Sequence, residues 1–382
     1  MLLSKENITL VNLIKIQQCF GAGSIKAARI FNVLRDADLL DCAFDDLSIN
    51  EKLDKKDSKR LLSYDDSNAH KIIDDCIKNQ INIITVCDSK YPNCLRFLDD
   101  FPIVLYYLGD LCDFDNTPLV SIVGPRKISE FGKKAAFSLG KRLALGGITV
   151  VSGAALGADT FAHTGALHAN CKTIAVLGCG ICYDYLPANR SLRKDISKNG
   201  CLISEYPPYA PATKYSFPIR NRLISGLSLA TVVIEASLKS GSLITARLAN
   251  EQGRDVFVIP GNPMLENYKG SNALLRDGAI PLLDANDIFN LYISKFPDKI
   301  NVTKAFDEKK ANKNGKISKK LNISLSKNAE IVYNYLNKQK FTVDDLLGLD
   351  MTDDDILSAL TDLEIEGLIK ALPGGVYEVI YS

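Results

Sequence analysis

Phe217, Pro218, Ile219, Arg220, Asn221 and Arg222 follow one another directly, setting two guanidiniums, a carboxamide and an aromatic ring within six residues of one expected loop. Guanidiniums grip phosphates as planar forks, and a ring stacks a base. The segment therefore reads as a contact for a nucleotide or a nucleic acid. A solvated helix start with one buried Phe would use the same residues, and the company the segment keeps favours the first reading.

That company is a set of glycine-rich turns. Gly124-Pro125-Arg126, Ser152-Gly153-Ala154-Ala155-Leu156-Gly157 and Gly178-Cys179-Gly180 each follow an apolar run. Glycine lets backbone N–H groups approach an anion closely, and a helix N-terminus beyond such a turn adds favourable partial charge. Tight strand-to-helix turns also want glycine, so each turn alone says little. Ser240-Gly241-Ser242 opens a further expected helix with Thr245 one turn in, which suits either a phosphate or ordinary N-capping. Arg126, Lys214, Arg220 and Arg222 would supply the cations and Phe217 the stacking face. Of Arg220 and Arg222, the first is expected to face the ligand and the second to pair with Glu205 or Glu235.

Cofactor fingerprints are missing. Gly178 and Gly180 lack the third glycine of a dinucleotide-binding turn, and no Gly-Lys-Ser/Thr closes a P-loop, so no cofactor is expected. Cys179 and Cys182 form the one C-x-x-C pair, and with only His70, His163 and His168 available a four-ligand metal cage has few candidates. Neither a metal nor a redox role is expected of them. No catalytic set appears either. Asp159 and His163 share a helix face and read as structural, while Glu205 and Glu235 end strands at one sheet edge, where they would serve as an acid/base pair or as anchors for loop backbones and arginines. No nucleophile stands beside a base.

The elements that must position these residues are short apolar strands alternating with helix-length stretches. Strands are expected at 119–123, 148–151, 173–177, 201–204, 230–234 and 255–259, with helices at 130–144, 158–169, 189–198 and 242–252. Such alternation indicates βαβ units and an α/β, Rossmann-like parallel sheet, whose ligands sit beyond the carboxyl ends of the strands. Upstream, residues 6–40 read as short helices around Gly21-Ala22-Gly23-Ser24, a hairpin suited to packing or to a DNA backbone, and 81–86 and 103–108 read as short β runs. Residues 301–321 turn polar and Lys-rich, as a linker does. The last 60 residues outline three helices and a small hairpin, as in a winged helix. The expected organisation is a helical domain over 1–75, a sheet domain over 76–298, a linker over 299–322 and a winged helix over 323–382.

A chain of 382 residues exceeds one compact core. It has no run of 18 apolar residues and its start lacks a signal-peptide pattern, so the expectation is a cytoplasmic protein that contacts no membrane and keeps its ten cysteines reduced. Its net charge of +1 hides an uneven distribution, for residues 120–290 carry 19 Lys/Arg against 12 Asp/Glu. The basic part and the glycine-rich turns coincide.

In motif order across nearly its whole length, the sequence resembles the DNA-processing protein A family, DprA/Smf. The resemblance rests on Ile122-Val123-Gly124-Pro125-Arg126, Ser152-Gly153 through Gly157 with Asp159 and Ala162-His163, and Ala175-Val176-Leu177-Gly178. It continues with Ser204-Glu205-Tyr206-Pro207, Phe217 through Ile224, Val233-Ile234-Glu235-Ala236, Ser240 through Ala246, and Ile259-Pro260-Gly261. Tyr91-Pro92, Leu95, Pro102 and Leu105 to Gly109 resemble the family's lead-in to its sheet domain, the first helices its sterile-alpha-motif-like module, and the tail its winged helix. The resemblance implies a non-enzymatic binder of single-stranded DNA that forms a homodimer through the sheet domain and helps load the RecA recombinase, in natural transformation among competent bacteria. It places the DNA pocket at Gly124 and Arg126, Ser152 and Gly153, Lys214 and Phe217, Arg220 and Asn221, and Ser240, Gly241 and Thr245.

This sequence departs from the family pattern in three places. Pro125 stands where Ser or Thr is common and removes an N–H donor; Leu156 replaces a common Arg; and the Tyr-Pro after the third turn appears as Tyr185-Leu186-Pro187. The tail departs from a duplex-binding winged helix in charge, since residues 323–382 hold 4 Lys/Arg against 11 Asp/Glu and would repel a phosphate backbone. A protein contact is expected of it instead. The rival to a DNA binder is a nucleotide or sugar-phosphate hydrolase on a similar sheet, but Pro260-Gly261-Asn262-Pro263 lacks the Gly-Gly-x-Gly-Thr that such an enzyme would want.

Overall fold

In a computed structural model, the apolar runs become β3 (Leu119–Val123), β4 (Thr149–Ser152), β5 (Thr173–Leu177), β6 (Cys201–Ser204), β7 (Ala230–Val233) and β8 (Asp255–Val258). The structure describes residues 5–44, 46–306, 327–336, 340–346, 348–349, 351–365, 368–372 and 376–379. All six strands are parallel neighbours, and β1 (Asn82–Thr85), β2 (Val104–Gly109) and β9 (Ile280–Pro281) extend them into nine in the order β1-β2-β6-β5-β4-β3-β7-β8-β9. The sheet is not parallel throughout: β1 runs antiparallel to β2, and β2 to β6.

Both faces are covered, which is why the strands read as continuous apolar runs rather than as alternations. Along β3, Val120 and Ile122 join one core with Leu139 and Leu143 of the helix Glu130–Leu145, while Leu119 and Val123 join the core on the other face. The intervening Ser121 is buried and donates its hydroxyl to Thr231 Oγ1 at 2.7 Å, as a buried polar group must.

Strand order reverses at β3, with β4 on one side and β7 on the other. A doubly wound sheet opens its crevice at such a switch point, beyond the carboxyl ends of the strands. The glycine-rich turns after β3, β4 and β5 all leave from that edge.

Among the described residues, five helices (Lys5–Phe20, Ile25–Asp36, Asp46–Lys52, Lys55–Leu62 and Asp66–Lys78) precede β1. Residues 1–308 form one compact unit, and 309–382 a second. Val302–Phe306, inside the stretch expected as a linker, is a short helix with Ala305 buried against the core; most of the remaining linker lies outside the described residues. In the second unit, helix Lys327–Tyr335, β10 (Lys340–Thr342), helix Asp353–Ile365, β11 (Ile369–Leu372) and β12 (Val376–Val379) follow in the order of a winged helix, with a β10-β12-β11 antiparallel sheet. Gly374 and Gly375, read as part of its hairpin, lie outside the described residues. Among the described residues no helix is long and apolar enough to cross a membrane.

Candidate nucleic-acid interface

The segment expected as a loop is helical. Ser216–Gly226 form a helix whose second and third residues are Phe217 and Pro218. Proline is tolerated there because its missing N–H would have no intrahelical acceptor. Thr213 and Ser216 close the start reciprocally, each backbone N–H donating to the other's hydroxyl at 3.1 Å.

From this helix start Phe217 reaches the turn after β5. Its ring packs on Tyr185, centroids 5.0 Å apart, and the Arg126 guanidinium from the turn after β3 lies 5.4 Å from its centroid. Gly178 makes room: a Cβ there would come within 2.9 Å of the Phe217 ring. Gly153, Ala154 and Ala155 after β4, Leu177 at the end of β5 with Gly178 and Cys179 beyond it, Tyr183, Tyr185, Leu186, Arg193, Phe217 and Arg220 bound one small hollow. Arg126 is exposed over the Phe217 ring, and exposed Lys214, three residues before Phe217, rests 4.8 Å from the exposed Tyr215 ring without bounding the hollow.

The structure corrects the expectation for Arg220. Its side chain is buried, with 6% of the residue exposed, and its Nη1 donates to the carbonyls of Gly153, at 2.8 Å, and Val176. Nε donates to Asn221 Oδ1 at 3.2 Å, which engages the carboxamide oxygen as well. The guanidinium thus braces the ends of β4 and β5 from beneath the hollow, in the space that the missing Cβ of Gly153 leaves open. Arg222 behaves as expected and pairs with buried Glu205, with Nε also 3.1 Å from Asp100.

Other expected contacts turn inward too. Ser152 is fully buried and donates its hydroxyl to the Ile122 carbonyl at 2.7 Å, and Thr245 is buried in the helix Ser242–Glu251. Ser240 lies just before the N-cap of that helix, exposed Gly241, and its hydroxyl accepts from the Ser242 N–H at 3.4 Å. Gly124 is packed against Ala158 and Ile234. Gly153, Phe217 and Arg220 therefore meet in the hollow with Arg126 over it, whereas Gly124, Ser152, Ser240, Gly241 and Thr245 are not among the residues that bound it.

The carboxylates at this edge are anchors. Glu235 accepts from the Ser129 N–H at 2.8 Å and from its hydroxyl at 2.5 Å, fixing the turn after β3. Asp159 accepts from the N–H groups of Gly153 and Ala155 at 3.0 and 3.3 Å. Glu205 accepts from the Gly23 N–H at 3.0 Å, tying the amino-terminal hairpin to the sheet; burial pushes its carboxyl up from the ordinary value, and Arg222 opposes the shift. His163 is buried beneath β4 and β5, with Nδ1 2.8 Å from the Thr173 hydroxyl. Cys179 and Cys182 are free thiols, and among the described residues no cluster could hold a metal ion.

Tyr185 and Tyr183 escaped the sequence reading as site residues. Their signal was a pair of aromatic residues right after a glycine turn, the same logic that singled out Phe217.

A family model described as DNA recombination-mediator protein A matches residues 82–293, more than half of the chain. The chain belongs to the DprA/Smf family. It is 41% identical over 208 residues to Protein Smf of Synechocystis, covering 54% of this chain and 52% of that protein. It is 38% identical over 210 residues to DNA processing protein DprA of Bacillus subtilis, covering 55% and 70%. The match thus spans about half the length of the first relative. The solved structure of DprA from Streptococcus pneumoniae superposes with a TM-score of 0.64 at 31% identity, over 76% of this chain and 98% of that one. That of Helicobacter pylori DNA processing protein A, whose description concerns its single-stranded DNA binding mode, superposes with a TM-score of 0.51 at 32% identity, over 56% and 97%. The DprA/Smf match takes in β1 to β9 and every residue that bounds the hollow.

Proposed function

We propose that this chain is a recombination mediator that binds single-stranded DNA at the Phe217 hollow without catalysing a reaction. One observation carries the reading: an exposed guanidinium, Arg126, lies over a ring, Phe217, that is itself backed by Tyr185 at the carboxyl edge of the sheet. A ring with a cation beside it offers a base a stacking face and its phosphate a partner, the pairing that single-strand binders use. Exposed Lys214 extends the contact. Arg220 acts from beneath, holding the turns rather than the strand. The commitment of Glu205 and Glu235 to loop anchoring supports a binder over a hydrolase.

Labelled oligothymidylate and duplex are titrated at several salt concentrations. Arg126→Ala, Lys214→Ala and Phe217→Ala should each weaken the single strand about tenfold, with preference for single strand over duplex in the parent protein. Equal binding by all three variants and the parent would remove the hollow from consideration.

RecA loading and a homodimer belong to the same proposal and rest on family membership. Exposed Ile280 on the edge strand β9 and exposed Leu283 just beyond it provide apolar surface for self-association; Leu283→Lys should then lower the mass measured by light scattering. We also read residues 1–75, 76–298, 299–322 and 323–382 as helical, sheet, linker and winged-helix parts, the last a protein contact.

A further inference from the structure

Beside the Phe217 hollow lies a second cleft of about 390 Å³, between the loop 181–184 and the helix Arg190–Lys198. Its size falls within the ~300–1,000 Å³ of ordinary ligand clefts. Its apolar floor is set by the sheet: Leu108 on β2 and Leu202 on β6 are register partners across the antiparallel pair, and Ile181 packs with them. Arg190 and Lys194, one turn apart on the helix, stand at its exposed rim.

The cleft and the hollow share a wall. Tyr183 and Arg193 bound both. Arg193 is a fixed part of that wall, because its guanidinium donates to the carbonyls of Tyr185 and Leu186 and is largely buried. Arg190 is free to change partner: its pair with Asp184 is exposed on both sides, and exposed ion pairs are weak. Lys194 makes no ion pair among the described residues. Asp184 is the one carboxylate that bounds the cleft, against three cations.

We infer that this cleft continues the single-strand track, seating the nucleotides next to those in the Phe217 hollow, with bases over Leu108 and Leu202 and phosphates on Arg190 and Lys194. The inference rests on the proposed function, since a strand must first occupy the hollow. An apolar floor beneath a cationic rim accepts any base and tracks the backbone. Continuity through Tyr183 favours a strand over a separate small molecule.

The test uses the full chain and oligothymidylates of about 4 and about 20 nucleotides, spanning the range of single-strand site sizes, in anisotropy titrations across salt. Arg190→Ala with Lys194→Ala should weaken the longer strand about tenfold and reduce the slope of log affinity against log salt by about 1.4, at ~0.7 per phosphate contact. The shorter strand should bind as the parent does. Asp184→Asn, which removes the opposing charge, should tighten the longer strand several-fold. Unchanged binding of the longer strand, or equal weakening of both lengths, overturns the cleft while loss of both in Arg126→Ala/Phe217→Ala leaves the hollow standing. No effect of Arg126→Ala/Phe217→Ala on either length overturns hollow and cleft together.

Discussion

Arg126, Arg220 and Arg222 carry the same guanidinium to three different ends. Arg126 is exposed over a ring, Arg220 braces strand-end carbonyls, and Arg222 closes a buried ion pair. Residues two apart on a helix point about 200° apart, so Arg220 and Arg222 were bound to meet different neighbours. Which neighbours was not legible, because the carbonyls that claim Arg220 lie 67 and 44 residues away in the chain. The pairing of Arg222 was legible, since a buried guanidinium needs a carboxylate and two were at hand. Arg220→Ala should therefore unfold about 3 kcal/mol more easily, by leaving buried carbonyls without their donor and buried Asp159 without its nearby positive charge; Arg126→Ala should lose single-strand affinity at unchanged stability. Urea denaturation beside DNA titration separates the two. His163 supplies a second test at this scale. Thr173 gives its own hydroxyl proton to the Val150 carbonyl, so Nδ1 must donate to Thr173, and a second proton would sit on a buried Nε2 that has no partner. Burial first, and then the Arg220 charge, push its pKa from 6.5 down to about 3. The unfolded chain takes up a proton that the folded chain refuses, so stability falls as pH drops through that window. Between pH 7 and pH 5 this residue should cost on the order of 2 kcal/mol. The fall should be shallower in His163→Gln, and identical pH profiles would refute the assignment.

The strands β3 to β8 were legible almost to the residue because a parallel strand buried on both faces is a short apolar run bounded by turns. The antiparallel entry of β2 was not, since strand direction leaves no mark in the residue pattern. Helix Ser216–Gly226 was hidden for a different reason: Arg220 and Arg222 occupy buried positions where periodicity would look for apolar residues. Its placement depends on the amino-terminal hairpin. Gly23, at φ 64°, lies against Ile219 and Arg222, and its N–H holds Glu205. The hairpin considered as a possible DNA contact therefore packs against the helix that carries Phe217. Gly23→Ala would place a Cβ 2.5 Å from Ile219 Cγ2 in a left-handed backbone, whereas Gly21, at φ 90°, has open space around it. Both substitutions should lower stability by about 1–2 kcal/mol through backbone strain, and only Gly23→Ala should also weaken single-strand binding, by displacing the helix. Thermal melts with matched titrations would show the split; equal DNA binding by the two variants would detach the hairpin from the site.

Charge organises the whole molecule. Residues 120–290 carry a net +7 and include the hollow, every charged residue of the cleft and the turn at the switch point of the sheet, while residues 323–382 carry −7. That contrast was legible from sequence alone, because net charge needs no fold. The convergence of turns 26 to 54 residues apart on one edge needed the βαβ topology, which the alternation of strands and helices supplied. If phosphate contacts reside only in the basic part, the salt dependence of single-strand binding should belong to it as well. A chain ending at residue 322 should thus keep the parent's slope of log affinity against log salt, and should bind at low salt at least as tightly, having lost seven net negative charges. A slope shallower by about 1.4 or more, the equivalent of two lost phosphate contacts at ~0.7 each, would place DNA on the carboxy-terminal unit despite its charge and overturn its reading as a protein contact.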